Sequence, residues 1–155
     1  RTGISQRKLL APGGSLQSLA TKAALLALED AGIDASEVGL VIVATSSPDD
    51  LFGDATSVAH EIGASSAVAF DLTAACSGFL FATVTASQFI NSGAYDCAVV
   101  VGADALSRWV DWDDRNTAIL FGDGAGAVVL RASDEKNAPS ILGFEMRSNG
   151  ADARH

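Results

Sequence analysis

Cys76, in Ala74-Ala75-Cys76-Ser77-Gly78, is the residue with the clearest chemical potential. Val68-Ala69-Phe70 reads as the end of a buried strand, Asp71 to Ala75 turn the chain, and a helix is predicted from Ser77 to Ser92, closed by Gly93. Cys76 is thereby placed at a helix N-terminus, where unpaired N–H groups and the helix dipole favour negative charge. The thiolate is the nucleophile in cysteine chemistry, and such a position lowers a thiol pKa. A sharp strand-to-helix turn also lifts the side chain clear of the backbone, as in the nucleophile elbow of serine hydrolases. The competing reading is a small buried hydrophobe, the usual fate of a free cysteine. Cys97, inside Cys97-Ala98-Val99-Val100-Val101, takes that reading. The two cysteines have neither C-x-x-C nor zinc spacing, so no metal and no resident cofactor is expected.

The elements that must position this thiol follow from the surrounding pattern. No charged residue lies between Leu72 and Tyr95, and Phe79, Leu80, Phe81, Ala82, Val84, Ala86, Phe89 and Ile90 place apolar groups on nearly every helix face. Such a helix belongs inside a large core. A membrane span is the alternative, but Thr73, Ser77, Thr83, Thr85, Ser87, Gln88 and Asn91 interrupt the run. Leu16, Leu19, Ala20, Ala23, Ala24, Ala27, Leu28 and Ala31 recur at helical steps, with Ser15 to cap the start and Gly32 the end. Leu40-Val41-Ile42-Val43-Ala44 is a continuous apolar run and predicts a strand buried on both faces. A loop follows in which Leu51 and Phe52 are apolar out of place, then a short helix from Ala55 to Ile62. Cys97 to Ala103 predicts another buried strand, and the stretch 104–116 a loop or short helical stretch carrying Arg108, Trp109, Trp112 and Arg115. Its tryptophans either tuck onto the core or stack with arginine against a planar ligand.

Ala118-Ile119-Leu120-Phe121 and Ala125 to Leu130 predict two strands joined at Gly122-Asp123-Gly124, and Ile141 to Met146 one more. The glycines of that junction resemble a dinucleotide fingerprint only superficially, since a strand rather than a helix follows them. Strands alternating with helices give the α/β class with a mainly parallel sheet. The 155 residues fit one domain, and 48% hydrophobic residues exclude disorder. A formal charge of −9 gives no basic footprint for nucleic acid or an anionic membrane. Two cysteines without a framework suit a reducing, cytoplasmic setting.

Taken in order, several motifs are together similar to the β-ketoacyl-acyl carrier protein synthase III family, of the thiolase fold. They are Arg1-Thr2-Gly3-Ile4, Phe70 to Phe79, Ser92-Gly93-Ala94-Tyr95, Gly102-Ala103-Asp104, Asp114-Arg115-Asn116-Thr117 and Phe121 to Ala127. The resemblance implies a five-stranded, mainly parallel sheet with a buried central helix, one half of an αβαβα sandwich. It implies that Cys76 receives an acyl group from acyl-CoA, acetyl-CoA being expected, and that malonyl-acyl carrier protein loses CO₂ and condenses with it to start fatty acid synthesis. It further implies that Arg115 stacks on the CoA adenine with Asn116 beside it, that Arg1 contacts a CoA phosphate, and that Leu106 and Phe121 line the acyl pocket. Phe52 corresponds to a loop residue that crosses a homodimer interface into the partner's pocket. Phe52-Gly53-Asp54 stands where the family commonly has Phe-Pro-Ser. The family's catalytic His and Asn belong to its second half; His60 and His155 lie in no matching motif, and the family's first strand would precede Arg1. The expectation is therefore most of an N-terminal half, which alone should not condense anything. A synthase III-like acyltransferase with another acceptor, and a non-catalytic binding or interface module, are the competing functions.

Overall fold

A computed structural model describes residues 2–134 and 140–152. Helix α1 (Leu16–Ala31) starts where the Ser15 hydroxyl accepts from the Ser18 N–H, and ends where Gly32 turns left-handed at φ 63°. Its buried residues Leu16, Ala20, Ala24 and Leu28 recur every fourth position, giving one stripe toward the sheet. Strand β1 (Leu40–Ala44) is wholly buried. Helix α2 (Ala55–Glu61) leads to β2 (Val68–Leu72), then α3 (Gly78–Asn91) to β3 (Cys97–Ala105), and β4 (Asp123–Arg131) completes the sheet.

The strand order is β2-β1-β3-β4. β1 pairs in parallel with β2 (Leu40 opposite Val68) and with β3 (Leu40 opposite Ala98), whereas β4 runs antiparallel to β3, from Cys97 opposite Arg131 to Ala105 opposite Asp123. Alternation along the strands splits the interior into two layers. Val41, Val43, Val99 and Val101 pack with α1 and α2, while Leu40, Ile42, Ala44, Ala98 and Val100 pack with Ala82 and Ala86 of α3. A sheet covered on both faces by helices needs apolar residues in both registers, which is why β1 and β3 read as unbroken runs.

Among the described residues the sheet has four strands, not five. The stretch 118–121 is a turn: the Asp114 carboxylate accepts from the Asn116 N–H and the Thr117 hydroxyl, and the Ala118 and Leu120 amides donate to Asp114 and Thr117 carbonyls. That side-chain wrap diverts the backbone from a ladder. The stretch 141–146 joins no described strand. α3 buries one face, through Gly78, Ala82, Ala86 and Ser87, and leaves Leu80 exposed on the other. No helix among the described residues is long and apolar enough to cross a membrane.

Candidate active site

Cys76 lies in a single 3₁₀ turn, Ala75–Ser77, between β2 and α3. Ala75 has φ 47°, the one positive φ outside glycine among the described residues. A left-handed alanine costs on the order of 1 kcal/mol and persists where the surroundings fix it. Here the Ser77 N–H donates to the Ala74 carbonyl and the Gly78 N–H to that of Ala75, closing the turn tightly. α3 starts close against the sheet: a Cβ at Gly78 would stand 3.4 Å from Ala44 Cβ, in ordinary van der Waals contact. The turn carries Cys76 outward, and its side chain is exposed.

The thiol faces a cavity of about 260 Å³ at the C-terminal ends of β1 and β3. Ala44 and Phe79 form one wall; Gly102 to Asp104 and the facing Gly124 to Gly126 of β4 form the other. Small residues make that space, since a Cβ at Gly124 or Gly126 would meet nothing within 4 Å. Crevices at the carboxyl ends of parallel strands are where α/β sheets place their ligands. Cys97, by contrast, is buried within β3, and burial followed by the nearby Glu37 pushes its thiol up, leaving it an inert packing residue.

The family model described as 3-Oxoacyl-[acyl-carrier-protein (ACP)] synthase III matches residues 70–150, a stretch that begins on β2 and contains the Cys76 turn. The chain belongs to this synthase III family. Beta-ketoacyl-[acyl-carrier-protein] synthase III of Gloeobacter violaceus is 60% identical over 155 residues, covering all of this chain and 46% of that protein. The synthase III crystal structure from Pseudomonas aeruginosa PAO1 superposes with a TM-score of 0.91 at 42% identity, over 98% of this chain and 46% of the other. The priming β-ketosynthase of the R1128 polyketide pathway gives a TM-score of 0.83 at 39% identity, over 87% and 41%. The chain thus spans about half the length of the relatives it matches.

The other described site residues that the resemblance names do not line this cavity. Leu106 is half-buried in the turn Leu106–Arg108 that follows β3, and Phe121 is 36% exposed just before β4; neither lines the Cys76 cavity. Arg115 and Asn116 are exposed on the loop between them. Trp109 and Trp112, which could have tucked onto the core, are 77% and 53% exposed. Phe52 is 93% exposed, with Leu51 beside it. Arg1 and His155 lie outside the described residues, and His60 is exposed on α2.

Sequence reasoning did not single out Asp123, which organises the mouth of the crevice. Its carboxylate accepts from the Leu10 N–H (2.7 Å), the Ser107 N–H (2.9 Å) and the Ser107 hydroxyl (2.6 Å). Burial opposes its ionisation, but the Ser107 and Leu10 donors and Arg108 outweigh it and hold the carboxyl below its ordinary value. Asp104 is a second such residue. It lines the cavity and takes the Ser46 N–H (2.8 Å) and the Ser47 hydroxyl (3.0 Å), fixing the loop after β1 to the end of β3. The available signal was an acidic residue beside small residues in an otherwise apolar strand, in Gly102-Ala103-Asp104 and Gly122-Asp123-Gly124.

Proposed function

We propose that the complete protein carrying this chain is an acyltransferase that primes fatty acid synthesis through an acyl thioester on Cys76. The Cys76 thiolate attacks the carbonyl of an acyl-CoA, acetyl-CoA being the expected donor; a carbon–sulfur bond forms and the CoA thiolate leaves. Malonyl-acyl carrier protein then loses CO₂, its carbanion attacks the acyl-cysteine carbonyl, and the Cys76 thiolate is released. In this reading Arg115 and Asn116 hold CoA, with Arg1 on a phosphate, and Leu106, Phe121 and the partner's Phe52 shape the acyl pocket of a cytoplasmic homodimer. No histidine lines the cavity among the described residues. On the family resemblance, the groups that activate the malonyl thioester are assigned to the rest of the protein.

The observation that carries the reading is the exposed Cys76 on a strained turn, opening into a small-residue cavity at the strand ends. Cys97, the other thiol, is buried within β3. Similarity to a priming ketosynthase of a polyketide pathway favours, as a second reading, the same acylation with another acceptor. Radiolabelled acetyl-CoA should label the full-length protein on Cys76, and Cys76→Ala should abolish the label. Label persisting in that variant removes Cys76 as the nucleophile, and a panel of acceptors separates the two readings.

A further inference from the structure

The loop carrying Leu51 and Phe52 is held by three aspartates in series. Asp71, on β2 leading into the Cys76 turn, accepts from the backbone N–H groups of Asp54 (3.0 Å) and Ala55 (2.9 Å) at the start of α2. Asp54, 2% exposed, accepts in turn from the N–H groups of Asp49 (2.8 Å) and Asp50 (3.3 Å). Asp49 accepts from the Ser15 hydroxyl (2.8 Å) and the Gln17 N–H (3.0 Å) at the start of α1, and pairs with Arg108 at 2.7 Å. Asp50 closes the tip by taking the Phe52 N–H at 2.8 Å.

At Gly53 the backbone of the tip runs close against the Asp71 carboxylate. Gly53 has φ 94°, and a Cβ there would stand 2.6 Å from Asp71 Cγ. Glycine therefore meets two requirements at once: the left-handed backbone and the room for the carboxylate. Two apolar side chains, 91% and 93% exposed, are thus carried by a frame anchored on β2 by Asp71 at one end and on Arg108, in the turn that begins at Leu106, at the other. The tip is held by carboxylates that accept backbone amides from each successive segment.

We propose that the Asp71, Asp54 and Asp49 series, with Gly53, positions the Phe52 tip and so sets acyl-chain selectivity. This rests on the reading of Phe52 as part of an acyl pocket. Asp71 is a positioning residue in this scheme: it touches neither thiol nor acyl chain, and acts through the loop it anchors. Asp71→Asn presents an amide N–H₂ toward one of the two donors it must accept from, and Gly53→Ala forces the tip off Asp71. Displacement of an apolar wall by about a methylene changes discrimination roughly tenfold.

The test uses the full-length protein, with kcat and KM measured for acetyl-CoA and octanoyl-CoA, and the rate of Cys76 alkylation by iodoacetamide as a control. Phe52→Ala sets the reference shift in the ratio of kcat/KM values. Asp71→Asn and Gly53→Ala should each shift that ratio about tenfold in the same direction, mainly through KM, with the alkylation rate within about twofold of the parent. If Phe52→Ala shifts the ratio and the other two do not, the positioning scheme is overturned and the pocket reading stands. If Phe52→Ala leaves the ratio unchanged, the pocket reading of Phe52 falls and the scheme with it. Equal loss on both substrates, together with slowed alkylation, assigns Asp71 a merely structural role and also overturns the scheme. Should Asp71→Asn fail to fold, Gly53→Ala, on the loop itself, decides.

Discussion

Replacing Asp123 by alanine should loosen the mouth of the Cys76 crevice while leaving its floor in place. The carboxylate ties three strands of chain at once: the lead-in segment through Leu10, the turn after β3 through both donors of Ser107, and the start of β4 on which it sits. A hydrogen bond to a charged group contributes about 1.5–3 kcal/mol. Asp123 is only half-buried, so water replaces part of each bond in the variant, and about 1 kcal/mol per bond is the reasonable share. Three bonds give a loss of about 3 kcal/mol. At a urea slope of about 1–3 kcal/mol/M that moves the unfolding midpoint down by roughly 1–3 M with the slope unchanged. The loss should be local in its dynamics. Amide exchange at Leu10 and Ser107 should quicken in the native state, while Val99 to Val101, fully buried in β3, keep their protection. Both are read by urea titration and hydrogen exchange of the full-length protein. A midpoint shift below about 0.3 M, with Leu10 and Ser107 still protected, would refute the claim that this carboxylate holds the segments together.

Ile42→Ala should destabilise by about 2–5 kcal/mol, because Ile42 is fully buried between the sheet and α3 and the side chains around it collapse only in part; chemical denaturation checks this. Acid should weaken the crevice before it weakens the sheet. Asp49 is held below the ordinary carboxylate value: burial opposes this, but the Gln17 N–H, the Ser15 hydroxyl and Arg108 outweigh it, and Asp123 is lowered in the same way. Such groups contribute stability that is present above their unfolded-state value near 3.8 and lost as pH falls through the lower folded value. Stability of the parent should therefore fall more steeply on acidification than that of Asp123→Asn, and parallel acid limbs would contradict the assignment.

Much of the positioning was legible because it depends on local signals. The β1 and β3 runs are apolar in both registers, and Ser15 and Gly32 bracket α1 where their chemistry demands. Cys76 was legible from the turn residues and the uncharged helix behind it. The stretch 118–121 was not, because its β-forming composition is overruled by the Asp114 side chain reaching three residues ahead. Nor were the aspartates: Asp71, Asp54 and Asp123 look like loop and strand-end residues until the segments whose amides they accept are brought beside them.

The order of residues by itself marked β1, β3 and the helices, offered Cys76 rather than Cys97 as the candidate nucleophile, and carried the motifs that resemble the family. The elements follow from periodicity, capping and turn chemistry within a few neighbouring positions, and the family from the resemblance of its ordered motifs. Only the tertiary structure decided the strand order, the small-residue cavity formed where β3 meets β4, and the chain of carboxylates from the Cys76 strand to Arg108. Each of these joins residues far apart in sequence, and a carboxylate carries no mark of which distant amide it will accept until the chain has folded.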